Sequence, residues 1–123
     1  MGQSLVNERT GSVVATFVEL AADSKSRRRG LLGRSGLAEH HAFVLAPCNA
    51  VHTCFMRFPI DVLFVGRDGR VLKIVPQVGA WRAAASFRAF AVIELAAGTL
   101  QRLGLMLGDR LMIGTAGETT ALS

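Results

Sequence analysis

Between Cys48 and Asp61 the chain sets two thiols, an imidazole, a guanidinium and a carboxylate among apolar neighbours. Cys48, His52, Cys54, Arg57 and Asp61 stand among Val51, Phe55, Met56, Phe58, Pro59 and Ile60, directly before the apolar run Val62 to Val65. Polar groups in such company are costly to bury unless they pair with one another or meet a ligand. Cys, His and Cys are ligand types for zinc. Here, however, three residues separate Cys48 from His52 and only one separates His52 from Cys54. That spacing fits no standard ligand pair, and a fourth ligand would have to come from His40, His41 or Asp61. No metal site is expected. A Cys-His nucleophile pair would need heads that converge, since side chains two apart on a strand sit about 7 Å from each other at the backbone. A Cys48–Cys54 disulfide suits a cytosolic chain poorly, and Cys54 reads best as a small core residue.

Asp61 falls on one strand face with Leu63 and Val65, while Ile60, Val62 and Phe64 take the other. A carboxylate entering a strand that is apolar on both sides needs a partner. Arg57 is nearest in sequence, but four extended residues span about 13 Å, so the Phe58-Pro59 bend must shorten the gap. Arg82 is the next candidate. Glu94 poses the same question, sharing its face with Phe90 and Val92. Were Asp61 and Glu94 close together, repulsion would raise one of their pKa values, as acid-base catalysis requires. Arginines nearby would make an anion site instead.

These groups need elements to position them. Val13 to Leu20 is β-rich enough for an opening strand. Asp23 or Ser24 can cap a short helix toward Leu32, its arginines near the C-terminal end where the dipole favours cations. Ala42 to Ala46 reads as a strand, Pro47 to Ala50 as a turn and Val51 to Met56 as extended. Ile60 to Val65 is a strand buried on both sides. Gly66 to Gly69 supplies a hairpin turn into Val71 to Val78, Asp-Gly being a strong hairpin signal. Pro76 marks an edge or bulge. Trp81 to Phe90 is a long connection and Ala91 to Leu95 another buried strand. Gly98 or Thr99 opens a short helix ended by Gly104, and Arg110 to Ile113 is the last strand. The expected architecture is a single α+β domain over 1–123, with its core about 13–113. It is built on a mostly antiparallel, barrel-like sheet with two short helices.

Composition narrows the function classes. The chain has 123 residues, half of them hydrophobic and 19% charged, which excludes a disordered chain. No apolar run approaches the roughly 18 residues needed to cross a bilayer. Met1 to Gly11 carries neither the basic nor the apolar region of a signal peptide, so a cytoplasmic location is expected. Gly2 does not signal myristoylation, because Val6 stands where that motif wants Ser or Thr. Net charge is +5 and the pI about 10.6, a balance that suits anionic partners. Arg27, Arg28, Arg29 and Arg34 form the one dense basic cluster. Three adjacent arginines fan over most of a helical turn, so they are expected on a solvated face away from the site, Arg29 being the one to turn inward. Tyr is absent and stacking aromatics are few, so nucleic acid is not an expected partner. Nothing resembles a phosphate-binding loop, and no cofactor is expected.

Arg29-Gly30-Leu31-Leu32 with Arg34 and Leu37 resembles the opening motif of the domain of unknown function 192 family of small bacterial and archaeal proteins. His52-Thr53 through Met56-Arg57-Phe58-Pro59-Ile60-Asp61-Val62 and Phe64 is similar to its central signature. Trp81-Arg82, Glu94-Leu95 with Gly98, and Gly104 with Gly108-Asp109 resemble its later landmarks in order. The similarity runs from about Val13 to Ile113. Gly66, where an acidic residue is common, and Val78-Gly79-Ala80, where a Pro usually precedes the Trp, depart from the pattern. The resemblance implies a fold and a site location, not an activity.

Two functions are therefore expected as alternatives. One is a binding module whose cleft is lined by His52, Arg57, Asp61, Trp81, Arg82 and Glu94. It would hold a small polar or anionic ligand such as a sugar or carboxylate, with Arg as bidentate donor and Trp as apolar platform. The other is a small hydrolase or isomerase using Asp61 or Glu94 with His52 as acid and base.

Overall fold

The computed structural model describes residues 3–115 and 118–121. In chain order the elements are β1 (Ser4–Asn7), β2 (Val13–Ala15), β3 (Phe17–Ala21), α1 (Ser24–Arg29), β4 (His41–Leu45), β5 (Ala50–His52), β6 (Ile60–Val65), β7 (Val71–Val78), β8 (Ala83–Ala85), β9 (Ala91–Ala96), α2 (Thr99–Leu103), β10 (Leu111–Thr115) and β11 (Glu118–Ala121). They form a five-stranded sheet in the order β3-β4-β9-β6-β7, a four-stranded sheet β11-β10-β1-β2 and a ribbon β5-β8. Among the described strands only β3 and β4 pair in parallel. A parallel pair needs a crossover connection, and α1 lies within it. The class is α+β, as expected. Among the described strands no sheet closes on itself, so the barrel-like expectation relaxes to packed sheets.

The five-stranded sheet is covered on both faces, which explains why its central strands are apolar without alternation. On one face Val44, Leu63, Val65, Ile93 and Leu95 pack against Leu5, Val14 and Leu111 of the smaller sheet and against Leu100 of α2. On the other, Phe43, Leu45, Ile60, Val62, Phe64 and Val92 pack against Leu31, just beyond α1, and against Val51 and Met56. All six residues of β6 are buried. The Gly66 to Gly69 turn closes as its composition requires. Gly69 takes φ +84°, and a Cβ there would stand 2.3 Å from the carbonyl oxygen of Leu111. The turn thus rests on β10, whose Leu111 amide donates to the Gly69 carbonyl at 2.9 Å.

Several boundaries differ from the sequence reading: the Trp81 to Phe90 connection contains β8, which pairs with β5, and α1 stops at Arg29, before Gly30 at φ 50°. Val13 to Leu20 is two strands, because the amides of Thr16 and Phe17 both donate to the His40 carbonyl (2.8 and 3.1 Å) and the chain passes from one sheet to the other. The Val51 to Met56 segment is extended only to His52; the Met56 amide then donates to the Thr53 carbonyl at 3.1 Å and closes a turn. The last expected strand begins at Leu111 and runs on into a hairpin with β11. Finally, β1 lies ahead of the expected core. It is fixed by long-range polar contacts: Asn7 Nδ2 and Arg9 Nε donate to the two oxygens of Asp109 at 2.8 and 2.5 Å. The Arg9 guanidinium holds the Asp109 carboxyl down to about 2. No helix of the described residues is long and apolar enough to cross a membrane.

Asp61 is fully buried and pairs with neither Arg57 nor Arg82. Its partners are main-chain amides: Oδ1 accepts from Gln77 at 2.8 Å and Oδ2 from Leu100 at 3.0 Å. Gln77 sits at φ 50°, close to the irregularity in the β6–β7 register. Leu100 is in the first turn of α2, whose own N-cap, Gly98, has no side chain to cap it. One carboxylate therefore satisfies a bulge and a helix start that no local residue could, and the two charge-assisted bonds offset its burial. Asp61→Ala should lower the unfolding free energy by about 2–6 kcal/mol, at roughly 1–3 for each of the two amides left unpaired, as measured by chemical denaturation. A denaturation curve overlaying the parent's would show that these amides find other partners.

Candidate functional site

The sheet face opposite Asp61 carries a cavity of about 560 Å³ between α1, β5 and the central strands. Glu94 lies at its inner end. On β9, the middle strand of the sheet, Glu94 is aligned with Phe43 of β4 and Val62 of β6, and the residue is only 6% exposed. Its carboxyl makes no hydrogen bond or ion pair with any described residue. Burial among apolar neighbours pushes it from an ordinary 4.5 up to about 7, and the charge of Arg34 draws it only partly back.

Arg34 does not neutralise Glu94 because it is already committed. Its two terminal nitrogens donate to the two oxygens of Glu19 at 2.9 and 2.6 Å, the bidentate geometry in which guanidinium and carboxylate pair best. Its guanidinium also lies 5.2 Å from the centre of the Phe43 ring. His41 Nε2 shares Glu19 at 3.0 Å.

The other arginines correct an expectation. Arg28 is exposed, as expected, Arg29 is exposed as well and Arg27 is half-buried, but all three line the cavity instead of standing away from it. Adjacent helix positions do fan apart at Cα. On a helix of only six residues, though, all three border the same hollow. None of the three forms an ion pair with a described residue, although Asp23, held below its ordinary range chiefly by hydrogen bonds from Ser26, also feels the charge of Arg27: Arg27 donates to the Ala22 carbonyl, and Arg28 donates to the Ser24 carbonyl at 3.4 Å. The helix itself is set by Asp23, whose Oδ1 accepts from the Ser26 amide at 2.8 Å, and by Gly30 at φ 50°. Leu31, Leu45, Val51 and Met56 supply apolar wall.

Of the six residues singled out by sequence, His52 and Glu94 share this cavity. His52 stands exposed at the end of β5, its Nδ1 accepting from the Cys54 amide at 3.3 Å. Asp61 lies on the opposite face of the sheet, so it and Glu94 form no carboxylate pair. Arg57, Trp81 and Arg82 are exposed and do not line the cavity. Trp81 is 62% exposed and Phe55 70%. They touch edge to face, centres 4.6 Å apart, each at a positive φ (61° and 65°). What holds that loop is Thr53, which the sequence reading passed over. It is buried, and its Oγ1 donates to the Gly79 carbonyl at 2.6 Å and accepts from the Arg82 amide at 2.9 Å. The arginines of α1 were also passed over as site residues, although Arg29-Gly30-Leu31 had already marked the place. Among the described residues no three His, Cys, Asp or Glu side chains converge as a metal ion would need.

The model of the DUF192 family, described as "Uncharacterized ACR", matches residues 5–113. No curated protein matches the chain. A crystal structure from Sinorhizobium meliloti 1021, provisionally described as a transcription regulator, is 30% identical with a TM-score of 0.77, covering 89% of each chain. A second, a protein of unknown function from Novosphingobium aromaticivorans DSM 12444, is 26% identical with a TM-score of 0.74, covering 89% of this chain and 81% of its own.

The position of Glu94 makes stability depend on pH. The unfolded chain releases this proton near 4.5 and the folded chain near 7. Between those values the folded state holds more protons, so stability falls as pH rises and levels off above about 7. Glu94→Gln removes the ionisation. It should be more stable than the parent at pH 8 by roughly 3 kcal/mol, with the advantage fading by pH 4.5. Denaturant midpoints at a series of pH values read this directly, and a constant difference would show that Glu94 titrates normally.

Proposed function

The chain belongs to the domain of unknown function 192 family, and we propose that it is a binding module for a small polar or anionic ligand, a sugar or a carboxylate. The ligand sits between α1, β5 and Glu94, close to the His52 to Asp61 segment. The observation that supports this reading is Glu94: a carboxyl on the middle strand of a buried sheet, with no hydrogen bond or ion pair to a described residue, facing a cavity that the three arginines of α1 line on one side. Such a group is costly to keep, and displaced carboxyl pKa values cluster where ligands act. Guanidiniums that form no ion pair with a described residue supply the complementary charge. A cavity of this size falls in the range of small-molecule sites.

Two further readings have their own support. Glu94 and His52 share the cavity, and a carboxyl titrating near neutrality is suited to acid-base work; a hydrolase or isomerase would rest on these two, Asp61 being held by main-chain amides. Nucleic-acid binding is favoured by the description of the Sinorhizobium neighbour and by the same three arginines. With a six-residue α1, contact would be to phosphates, weak and lost as salt rises. The two free thiols suit a reducing compartment such as the cytoplasm.

Titration of isotopically labelled protein with neutral sugars and small carboxylates should shift the amides of Leu31, Val51, His52 and Glu94 together. Replacing Arg28 and Arg29 with Gln should weaken an anionic ligand at least tenfold, about 1.4 kcal/mol, and leave the melting temperature nearly unchanged, since exposed charges contribute little. Shifts confined to Phe55 and Trp81 would move the site to the aromatic pair and overturn the reading.

A further inference from the structure

We infer that the ligand of this cavity is a phosphomonoester of a hydroxylated small molecule, of the sugar phosphate class, an inference that rests on the binding-module reading above. Three features converge on it. Arg27, Arg28 and Arg29, three positive charges, line the cavity, none of them in an ion pair with a described residue, and the neighbouring acids are already engaged, Asp23 also feeling the charge of Arg27. Glu19 is bound by Arg34 and His41, while Asp23 caps α1 through the Ser26 amide and hydroxyl. A carboxylate would answer one of those charges. A phosphomonoester carries nearly two at neutral pH and offers three acceptor oxygens to guanidinium forks.

Glu94 sets the opposite requirement. It is buried and faces the cavity, so a second anionic group on the ligand would meet it unfavourably, which argues against diacids. A hydroxyl suits it whether protonated or ionised, since a hydroxyl both donates and accepts; near neutral pH both forms of Glu94 are present. The charged groups around it do not change this, because Arg34 is held by Glu19 and His52 stands exposed at the cavity wall. Between the two ends, Leu31, Val51 and Met56 form an apolar strip against which the C–H face of a sugar can lie. An amino acid could place its ammonium on Glu94, but its single carboxylate leaves most of the arginine charge unanswered. A second hollow, near Arg67 and Arg88, is also basic but has no buried polar group and gives no comparable specification.

The test compares three matched pairs by calorimetry and by amide shifts at pH 7: glycerol and glycerol 3-phosphate, ribose and ribose 5-phosphate, glucose and glucose 6-phosphate, with inorganic phosphate and leucine as further probes. At least one sugar phosphate should bind tenfold or more tighter than both its free sugar and inorganic phosphate, with shifts at Leu31, Val51 and Glu94. In the Arg28→Gln, Arg29→Gln protein that phosphate advantage should disappear. In Glu94→Gln the affinity for inorganic phosphate should persist while the added affinity from the sugar falls. Free sugars or leucine binding as tightly as the phosphates would overturn the inference and leave the binding-module reading standing. No cavity shifts with any probe, or with the sugars and carboxylates above, would remove both.

Discussion

A central sheet covered on both faces leaves little water for the carboxylates it carries, and the molecule answers this constraint in two opposite ways. On one face Asp61 is matched atom for atom by the amides of Gln77 and Leu100. That match ties the edge strand β7, its neighbour β6 and the short helix α2 into one unit. On the other face Glu94 has no match. The protein could have placed Gln or Leu there with less electrostatic penalty, and the stabilised alternative would keep the same packing.

The asymmetry separates a structural acid from a candidate functional one more sharply than exposure does, since both residues are buried. The position of α1 has a separate origin. The parallel β3–β4 pair forces a crossover, the crossover must lie on a face of the sheet, and the face it takes is the one with the unmatched carboxyl. A helix of six residues is too short to be stable alone, so its position derives from Asp23, Gly30 and the burial of Leu31.

Much of the fold was legible because its signals are local. Ile60 to Val65 reads as doubly buried from its composition, and Gly66 to Gly69 as a turn from Asp-Gly. Gly98 and Gly104 bracket α2 as their spacing suggests. The alternation of Asp61 with Leu63 and of Glu94 with Val92 correctly gave the face of each acid. What could not be read was which faces of different strands coincide. The partners of Asp61 are main-chain atoms 16 and 39 residues away, and no side-chain type announces them. β1 was missed because Asn7 and Arg9 are fixed by Asp109, about a hundred residues distant. The place of Arg27, Arg28 and Arg29 at the cavity wall was missed because no local signal says which face of the sheet the crossover helix covers.

Trp81 is the sole tryptophan of the chain, and it stands outside the core, exposed and resting on Phe55 above a loop pinned by Thr53. Intrinsic fluorescence therefore observes a surface loop and not the buried sheet. Emission would be that of an indole in contact with water even in the native protein, and its change on heating would report release of the Phe55 contact. The optical signal and the cooperative loss of the sheet are thus separate observables in this molecule, and backbone circular dichroism is the one that follows the fold.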